Sequence, residues 1–184
     1  NQEVTPQLVE QLNPDAVIVA TGSVPDLPSI PGIHRSPVIT AQDVLTGKIT
    51  VQANNVLIIG GGMVGCEIAD LLAERSDNPI INRTNITVVD QVTDIPPLSM
   101  TTASRDLLLR RMRQFGVKII PSATVIEIFE DGVMLQKDGQ TEEIRSMDCI
   151  ILAAGMCPFD PLSEQIKSFV DEIYIIGDAK EPRL

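Results

Sequence analysis

The chain has 184 residues, a formal net charge of −11, 43% apolar residues and no tryptophan. This length and composition predict a globular protein with an aliphatic core. The acidic balance argues against a nucleic-acid-binding protein, because such a surface repels phosphate backbones. No apolar run reaches the ~20 residues that span a bilayer, and the N-terminus lacks a charged-then-apolar signal segment. These features predict a cytoplasmic protein with no membrane partner.

In the N-terminal quarter, residues 1–45, only short elements of regular structure are predicted. Residues 5–12 could form a helix, and residues 15–20 (DAVIVA) are predicted to be a short buried strand that runs into Thr21-Gly22-Ser23. Several prolines between residues 24 and 40 favour an extended crossover there, because proline interrupts helices and sheets. Residues 41–45 are predicted to form a single helical turn.

The most informative stretch is VLIIGGGMVGCEIA at residues 56–69, an apolar strand that passes through a glycine-patterned turn into a helix. Each of the spaced glycines Gly60, Gly62 and Gly65 has its own predicted role. Gly60 permits the tight turn, Gly62 lets the backbone approach a pyrophosphate, and Gly65 lets the helix pack on the strand. The N–H groups at the start of the helix then hold the phosphate charge.

The glycine pattern is a weak signal alone, but its context strengthens it. A strand precedes it, a helix follows it, and a second predicted strand at residues 86–89 ends in Asp90. Together these features favour a nucleotide site, the alternative being a glycine-rich turn without a ligand. The helix is predicted to end near Ser76. Because the connection at residues 76–85 is unusually long, we expect it to form a surface excursion.

The second half predicts two kinds of strand. Residues 101–115 are predicted to form a helix that stops at Gly116, and residues 117–120 a third parallel strand. Short alternating segments then meet at Asp131-Gly132 and Asp138-Gly139, which indicates an antiparallel three-stranded meander. Residues 149–153 return as a fourth buried strand. The predicted fold is therefore α/β, a three-layer ββα sandwich in which a Rossmann-like parallel sheet is covered by the meander.

Cysteine and histidine usage favours neither a metal site nor nucleophilic catalysis. Cys66, Cys149 and Cys157 are dispersed and never have CxxC spacing, which argues against a disulfide framework, a zinc site or a redox dithiol. We interpret them as buried small residues. The single histidine, His34, lies in the proline-rich crossover and is interpreted as a surface residue. No catalytic residue is therefore predicted.

Four motifs together resemble the two-dinucleotide-domain flavoprotein reductases, the superfamily of glutathione and thioredoxin reductases. They are DAVIVATGSVP at 15–25, GGGMVGCEIA at 60–69, DCIILAAGMCPF at 148–159 and YIIGDAKEPRL at 174–184. The resemblance implies that residues 48–153 form the NAD(P)H-binding domain. It also implies that residues 1–47 are a residual FAD-domain segment with its crossover, and that residues 154–184 return to the FAD domain.

Within this superfamily, the ending GDAKEPR most resembles the NADH:flavin oxidoreductases related to old yellow enzyme, which include 2,4-dienoyl-CoA reductase. The lack of CxxC also fits this group. The resemblance implies hydride transfer from NAD(P)H to FAD, and then electron transfer through an iron–sulfur cluster and FMN to an activated alkene. The FMN and cluster would lie in a TIM barrel outside this chain. Because both ends look cut, we expect an inactive part of a longer protein, with a dinucleotide and the rest of its own polypeptide as partners.

The resemblance also implies individual roles. Asp90 accepts hydrogen bonds from the ribose and repels a 2′-phosphate, and Gln91 follows it in place of an arginine, so NADH is favoured over NADPH. Arg83 or Arg105 could still approach that phosphate. Glu67 matches an acidic residue of the nicotinamide domain, but it could equally be a helix-dipole partner. The predicted cofactor-binding residues are Gly60, Gly61, Gly62, Met63, Val64, Gly65, Glu67, Asp90, Gln91, Ala154, Gly155, Gly177 and Asp178.

Three readings of the function remain open at this point. The first is the NADH-binding part of a flavoenzyme. The second is a structural module that holds ADP or a nucleotide without hydride transfer of its own. The third is a scaffold whose acidic surface docks a partner. The arginines of the predicted 101–115 helix, Arg105, Arg110, Arg111 and Arg113, are interpreted as a solvated face rather than a docking surface.

Overall fold

A computed structural model describes residues 2–75, 84–97 and 101–182. The strands are β1 (Ala16–Val19), β2 (Ser23–Pro25), β3 (Val38–Thr40), β4 (Asn55–Ile59), β5 (Asn85–Val89), β6 (Lys118–Ile120), β7 (Thr124–Ile128), β8 (Gly132–Lys137), β9 (Gln140–Arg145), β10 (Cys149–Leu152), β11 (Met156–Pro158) and β12 (Glu172–Ile175). The helices are α1 (Pro6–Leu12), α2 (Ala41–Leu45), α3 (Met63–Arg75), α4 (Thr102–Gln114) and α5 (Ser163–Ile166). The predicted surface excursion at residues 76–85 lies largely outside the described residues.

The chain divides into two compact units, residues 27–155 and residues 1–26 with 156–184. Residues 27–47, the later part of the predicted FAD-domain segment and crossover, group with the larger unit. The reason is that β3 pairs in parallel with β10, and that Ala41 and Val44 of α2 lie in the core of the larger unit. Among the described residues, no helix has the length and apolarity needed to cross a membrane.

The larger unit is built on a five-stranded parallel sheet in the order β3-β10-β4-β5-β6. Its central strands β4 and β10 consist mainly of buried aliphatic residues, as expected for strands covered on both faces. The edge strand β3 was missed, and the prediction that residues 24–40 lack regular structure is wrong at this strand and also at the end of β2. Pro37 precedes the strand and its carbonyl accepts a hydrogen bond from the Ile150 N–H at 2.7 Å, a placement that edge strands tolerate.

The predicted three layers are confirmed. One face of the sheet packs against helices through a core that includes Ile58, Ile68 and Met112, and the other face packs against the β7-β8-β9 meander. Asp138 and Gly139 at the β8–β9 turn have φ angles of 50° and 77°, the left-handed pair that a tight hairpin requires. Aliphatic side chains fill both interfaces of the sheet.

The smaller unit contains two two-stranded sheets, β1 parallel to β12 and β2 antiparallel to β11. One face of the β1–β12 pair packs, through Val17 and Ile173, on a small core shared by α1 and α5. The strand predicted at residues 15–20 is confirmed as β1, but the prediction that it is buried is wrong for one face, because Ile18 is 65% exposed whereas Val19 is 2% exposed. Alternation along a strand covered on one face explains the difference.

Candidate dinucleotide-binding site

The turn between β4 and α3 is closed by two glycines that no other residue could replace without a clash. Gly60 has a φ of 112°, and a Cβ there would lie 2.2 Å from the Ala153 carbonyl oxygen. A Cβ at Gly65 would lie 1.9 Å from the Gly60 carbonyl oxygen. The first contact joins the turn to the end of β10, and the second seats α3 on the turn. These are the tight-turn and close-packing roles that the spacing predicts.

The middle of the turn is open. A Cβ at Gly62 would meet nothing within 4 Å, and the next two side chains, Met63 and Val64, are 42% and 41% exposed. The first turn of α3 also contains N–H groups that have no acceptor within the helix. Space, the N–H donors of the first helical turn and the positive end of the helix dipole thus coincide at Gly62, an arrangement suited to an anionic group such as a pyrophosphate.

Asp90 lies directly against this turn. Its Oδ2 accepts a hydrogen bond from the Gly61 N–H at 2.6 Å, and its Oδ1 accepts one from the Val92 N–H at 3.1 Å. Its backbone is held at the end of β6, where its N–H donates to the Ile120 carbonyl at 3.2 Å. The carboxylate is therefore placed beside the glycine turn although 29 residues separate Asp90 from Gly61.

The other predicted site residues belong to several different elements. Glu67 is exposed on α3, and Gln91 is exposed directly after Asp90. The Ala153 N–H donates to the Ile59 carbonyl at 2.8 Å, next to the glycine turn. Ala154 and Gly155 follow Ala153 and therefore lie, like the glycine turn, at the carboxyl end of the parallel strands. Gly177 and Asp178 belong to the smaller unit, where both are exposed in a short 3-10 helix, Gly177–Ala179.

Sequence reasoning missed the part of the site that follows Asp90. Ile95 is buried, and its side chain lies so close to Gly61 that a Cβ there would be 2.8 Å from it. The Arg105 guanidinium, predicted to be solvated, instead donates from Nε to the Pro96 carbonyl at 2.8 Å. No local sequence pattern predicts these contacts. Arg83, the other arginine considered for a 2′-phosphate, lies outside the described residues.

Arg111 is also paired rather than solvated. Its Nε lies 2.9 Å from both carboxylate oxygens of Asp70, and its Nη2 lies 3.1 Å from Glu74. The hydrogen bonds that Arg111 donates to Asp70 and Glu74 raise the pKa of its guanidinium. These two ion pairs join α4 to α3, which gives Arg111 a structural role.

The comparisons with known proteins agree with this geometry. A family model described as pyridine nucleotide-disulphide oxidoreductase matches residues 2–183. The chain belongs to this family. An NADH oxidase of Thermoanaerobacter brockii is 33% identical over 178 residues, covering 94% of this chain and 26% of that protein. A cinnamate reductase of Clostridium sporogenes is 27% identical over 183 residues, covering 98% of this chain and 26% of that protein.

The same fold is also found among solved structures. A complex of 2-naphthoyl-CoA reductase superposes with a TM-score of 0.82 at 27% identity, covering all of this chain and 27% of that one. A histamine dehydrogenase from Rhizobium sp. 4-9 superposes with a TM-score of 0.81 at 18% identity, which shows a shared fold. The chain spans about a quarter of the length of the NADH oxidase and of the cinnamate reductase.

The three cysteines of the chain all lie among the described residues. Cys66, Cys149 and Cys157 are all free. Burial raises the pKa of the Cys66 thiol to about 12, and the nearby Asp90 and Glu67 charges add to this effect. Burial and then the Asp148 charge raise the pKa of Cys149 to about 11. Cys66 is thus a buried packing residue, as predicted, whereas Cys149 and Cys157 are only partly buried, so the prediction of burial is wrong for these two.

We expect the thiols to react with iodoacetamide in a definite order at pH 8. Cys157 should be modified first, whereas Cys66, fully buried and with only about one part in ten thousand as thiolate, should remain unmodified. In urea all three should react at similar rates. Peptide mass spectrometry over a time course measures each site, and alkylation of native Cys66 as fast as Cys157 would contradict the buried placement.

Proposed function

We propose that this chain is the NADH-binding part of a longer flavin-dependent oxidoreductase. The observation that carries the proposal is Asp90, whose carboxylate is held on the Gly61 N–H beside an open helix N-terminus. The arrangement fits a dinucleotide, since an anion site and a ribose acceptor lie side by side. Bound NADH would supply the hydride, with FAD as its acceptor in the whole protein.

Each predicted residue then has a proposed role. The N–H groups of Met63 and Val64 hold the pyrophosphate, which approaches across Gly62. Asp90 accepts from the adenosine ribose hydroxyls and disfavours a 2′-phosphate through like charge. Ala154 and Gly155 line the nicotinamide pocket, where a Cβ at Gly155 would meet nothing within 4 Å. Gly177 and Asp178 are assigned to FAD.

The relatives support a more specific class for the whole protein. Cinnamate reductase and 2-naphthoyl-CoA reductase carry names that denote reduction of conjugated carbon skeletons. We therefore place the whole protein in the group related to old yellow enzyme. In that group a TIM barrel with FMN and an iron–sulfur cluster would pass electrons from FAD to an activated alkene. The barrel and these cofactors belong to the part of the protein outside this chain.

One observation favours a second candidate, a structural nucleotide module. The two features that define the site best are the open space at Gly62 and the Asp90 carboxylate. Both would contact the ADP half of a dinucleotide. Such a module would bind ADP as tightly as NADH. A site built for hydride transfer would also contact the nicotinamide half, and would then bind NADH more tightly than ADP.

Titration of NADH, NADPH and ADP into the 184-residue chain, followed by calorimetry at fixed salt, tests these alternatives. We expect NADH to bind at least about tenfold more tightly than NADPH, because the 2′-phosphate would lie near the Asp90 carboxylate. NADPH affinity equal to or tighter than that of NADH would overturn the assignment. Equal affinities for NADH and ADP would favour the structural module, and no binding of any nucleotide would favour a scaffold.

A further inference from the structure

We propose that Arg105 is a positioning residue of the dinucleotide site, acting through the loop that follows Asp90. This inference rests on the proposed function, because its readout is nucleotide binding. Arg105 does not touch the glycine turn itself. Its contacts instead hold the loop residues that pack on the turn, so it sets the turn's geometry from outside the site.

The contacts form a short, continuous chain. The Arg105 Nε–H donates to the Pro96 carbonyl at 2.8 Å, and Pro96 is buried. The neighbouring residue, Ile95, is 6% exposed, and its side chain lies against Gly61. The Gly61 N–H in turn donates to the Asp90 Oδ2 at 2.6 Å. Arg105 is therefore connected to the site through one hydrogen bond and one packing contact.

Arg105 is well placed to act as a fixed anchor. It lies in the first turn of α4, where its N–H donates to the Thr101 carbonyl at 2.9 Å. Leu108 and Met112, further along the same helix, are buried in the core of the larger unit. Because the helix is packed on the sheet, the guanidinium has a rigid base from which to hold the loop.

The same contacts argue against Arg105 as a ligand of a 2′-phosphate. Its side chain is 23% exposed, and its Nη2 lies 3.9 Å from the Asp94 carboxylate. A long, partly exposed ion pair contributes little stability. It does, however, place a negative charge beside the guanidinium, where a phosphate would otherwise have to approach.

The two roles differ in their effect on nucleotide selectivity. If Arg105 positions the turn, Arg105→Ala should lower the affinities for NADH, NADPH and ADP by the same factor, about tenfold, since all three nucleotides use the pyrophosphate site. If Arg105 binds the 2′-phosphate, the substitution should lower the affinity for NADPH alone. Calorimetric titration of the three nucleotides into the 184-residue chain separates these outcomes.

Arg111→Ala is the matched control, because it removes an arginine from the same helix whose partners, Asp70 and Glu74, belong to α3 beyond its first turn and not to the loop after Asp90. It should leave the affinities of all three nucleotides unchanged. An equal loss in the Arg111 variant would overturn the proposal, as would unchanged binding in the Arg105 variant. If the wild-type chain binds no nucleotide, the proposed function fails instead, so the two failures are distinguishable.

A milder substitution and a double-mutant cycle complete the test. Should Arg105→Ala not fold, Arg105→Lys keeps the charge but lacks the Nε–H of the planar fork, and should weaken the three nucleotides equally by a few-fold. Wild-type affinities in that variant would overturn the proposal. Combining Arg105→Ala with Ile95→Val should cost less than the sum of the single changes, because both act on the same contact with Gly61.

Discussion

Gly65→Ala should destabilise the chain by about 3 kcal/mol, a large effect for the addition of one methyl group. The new Cβ would lie 1.9 Å from the Gly60 carbonyl oxygen, a backbone atom that cannot move without opening the turn. For a chain of this size the melting temperature should fall by about 10 °C. Thermal unfolding followed by circular dichroism measures the change directly.

Gly62→Ala is the matched control, at the glycine that lies three residues earlier and immediately precedes α3. Its Cβ would meet nothing within 4 Å, so stability should stay within about 1 kcal/mol of wild type. NADH affinity should nevertheless fall, because the methyl group occupies the space proposed for the pyrophosphate. A Gly65→Ala variant with the melting temperature of the wild type would contradict the described turn. So would a Gly62→Ala variant with a much lower melting temperature.

Asp90→Asn should weaken NADH binding by about tenfold and abolish the preference for NADH over NADPH. The asparagine oxygen can still accept from the Gly61 N–H, so the turn should persist. The charge that strengthens the proposed ribose hydrogen bonds and repels a 2′-phosphate is lost. Parallel titrations of the two nucleotides into the variant give both effects in one experiment.

Asp148→Asn offers a closely matched control. The Asp148 carboxylate also accepts backbone hydrogen bonds, from the Asn54 and Asn55 N–H groups at 3.0 Å and 2.8 Å. It precedes β10, at the end of the sheet opposite the glycine turn. The variant should lose similar stability but retain both nucleotide affinities. If it loses NADH affinity as Asp90→Asn does, the effect at Asp90 reports general stability rather than a ligand contact.

Much of the fold could be predicted because its signals are local. Apolar runs at residues 56–59 and 149–153 indicate strands buried on both faces, and Asp138-Gly139 indicates a hairpin turn. Edge strand β3 could not be predicted, since three residues among prolines have no pattern and pair only because β10 lies beside them. The exposed Ile18 was missed for a similar reason, as one covered face depends on the neighbouring elements.

For the candidate site, the sequence alone determined the residue types and their order: three spaced glycines after a strand, and an acidic residue after the next strand. These follow from backbone constraints within a few residues of each position. Only the tertiary structure decided that Asp90 is bonded to Gly61 and that Arg105 holds Pro96. Both contacts depend on elements far apart in the chain, through the pairing of β4 with β5 and the packing of α4 on the sheet. Such placements follow from packing of the whole unit rather than from any local pattern.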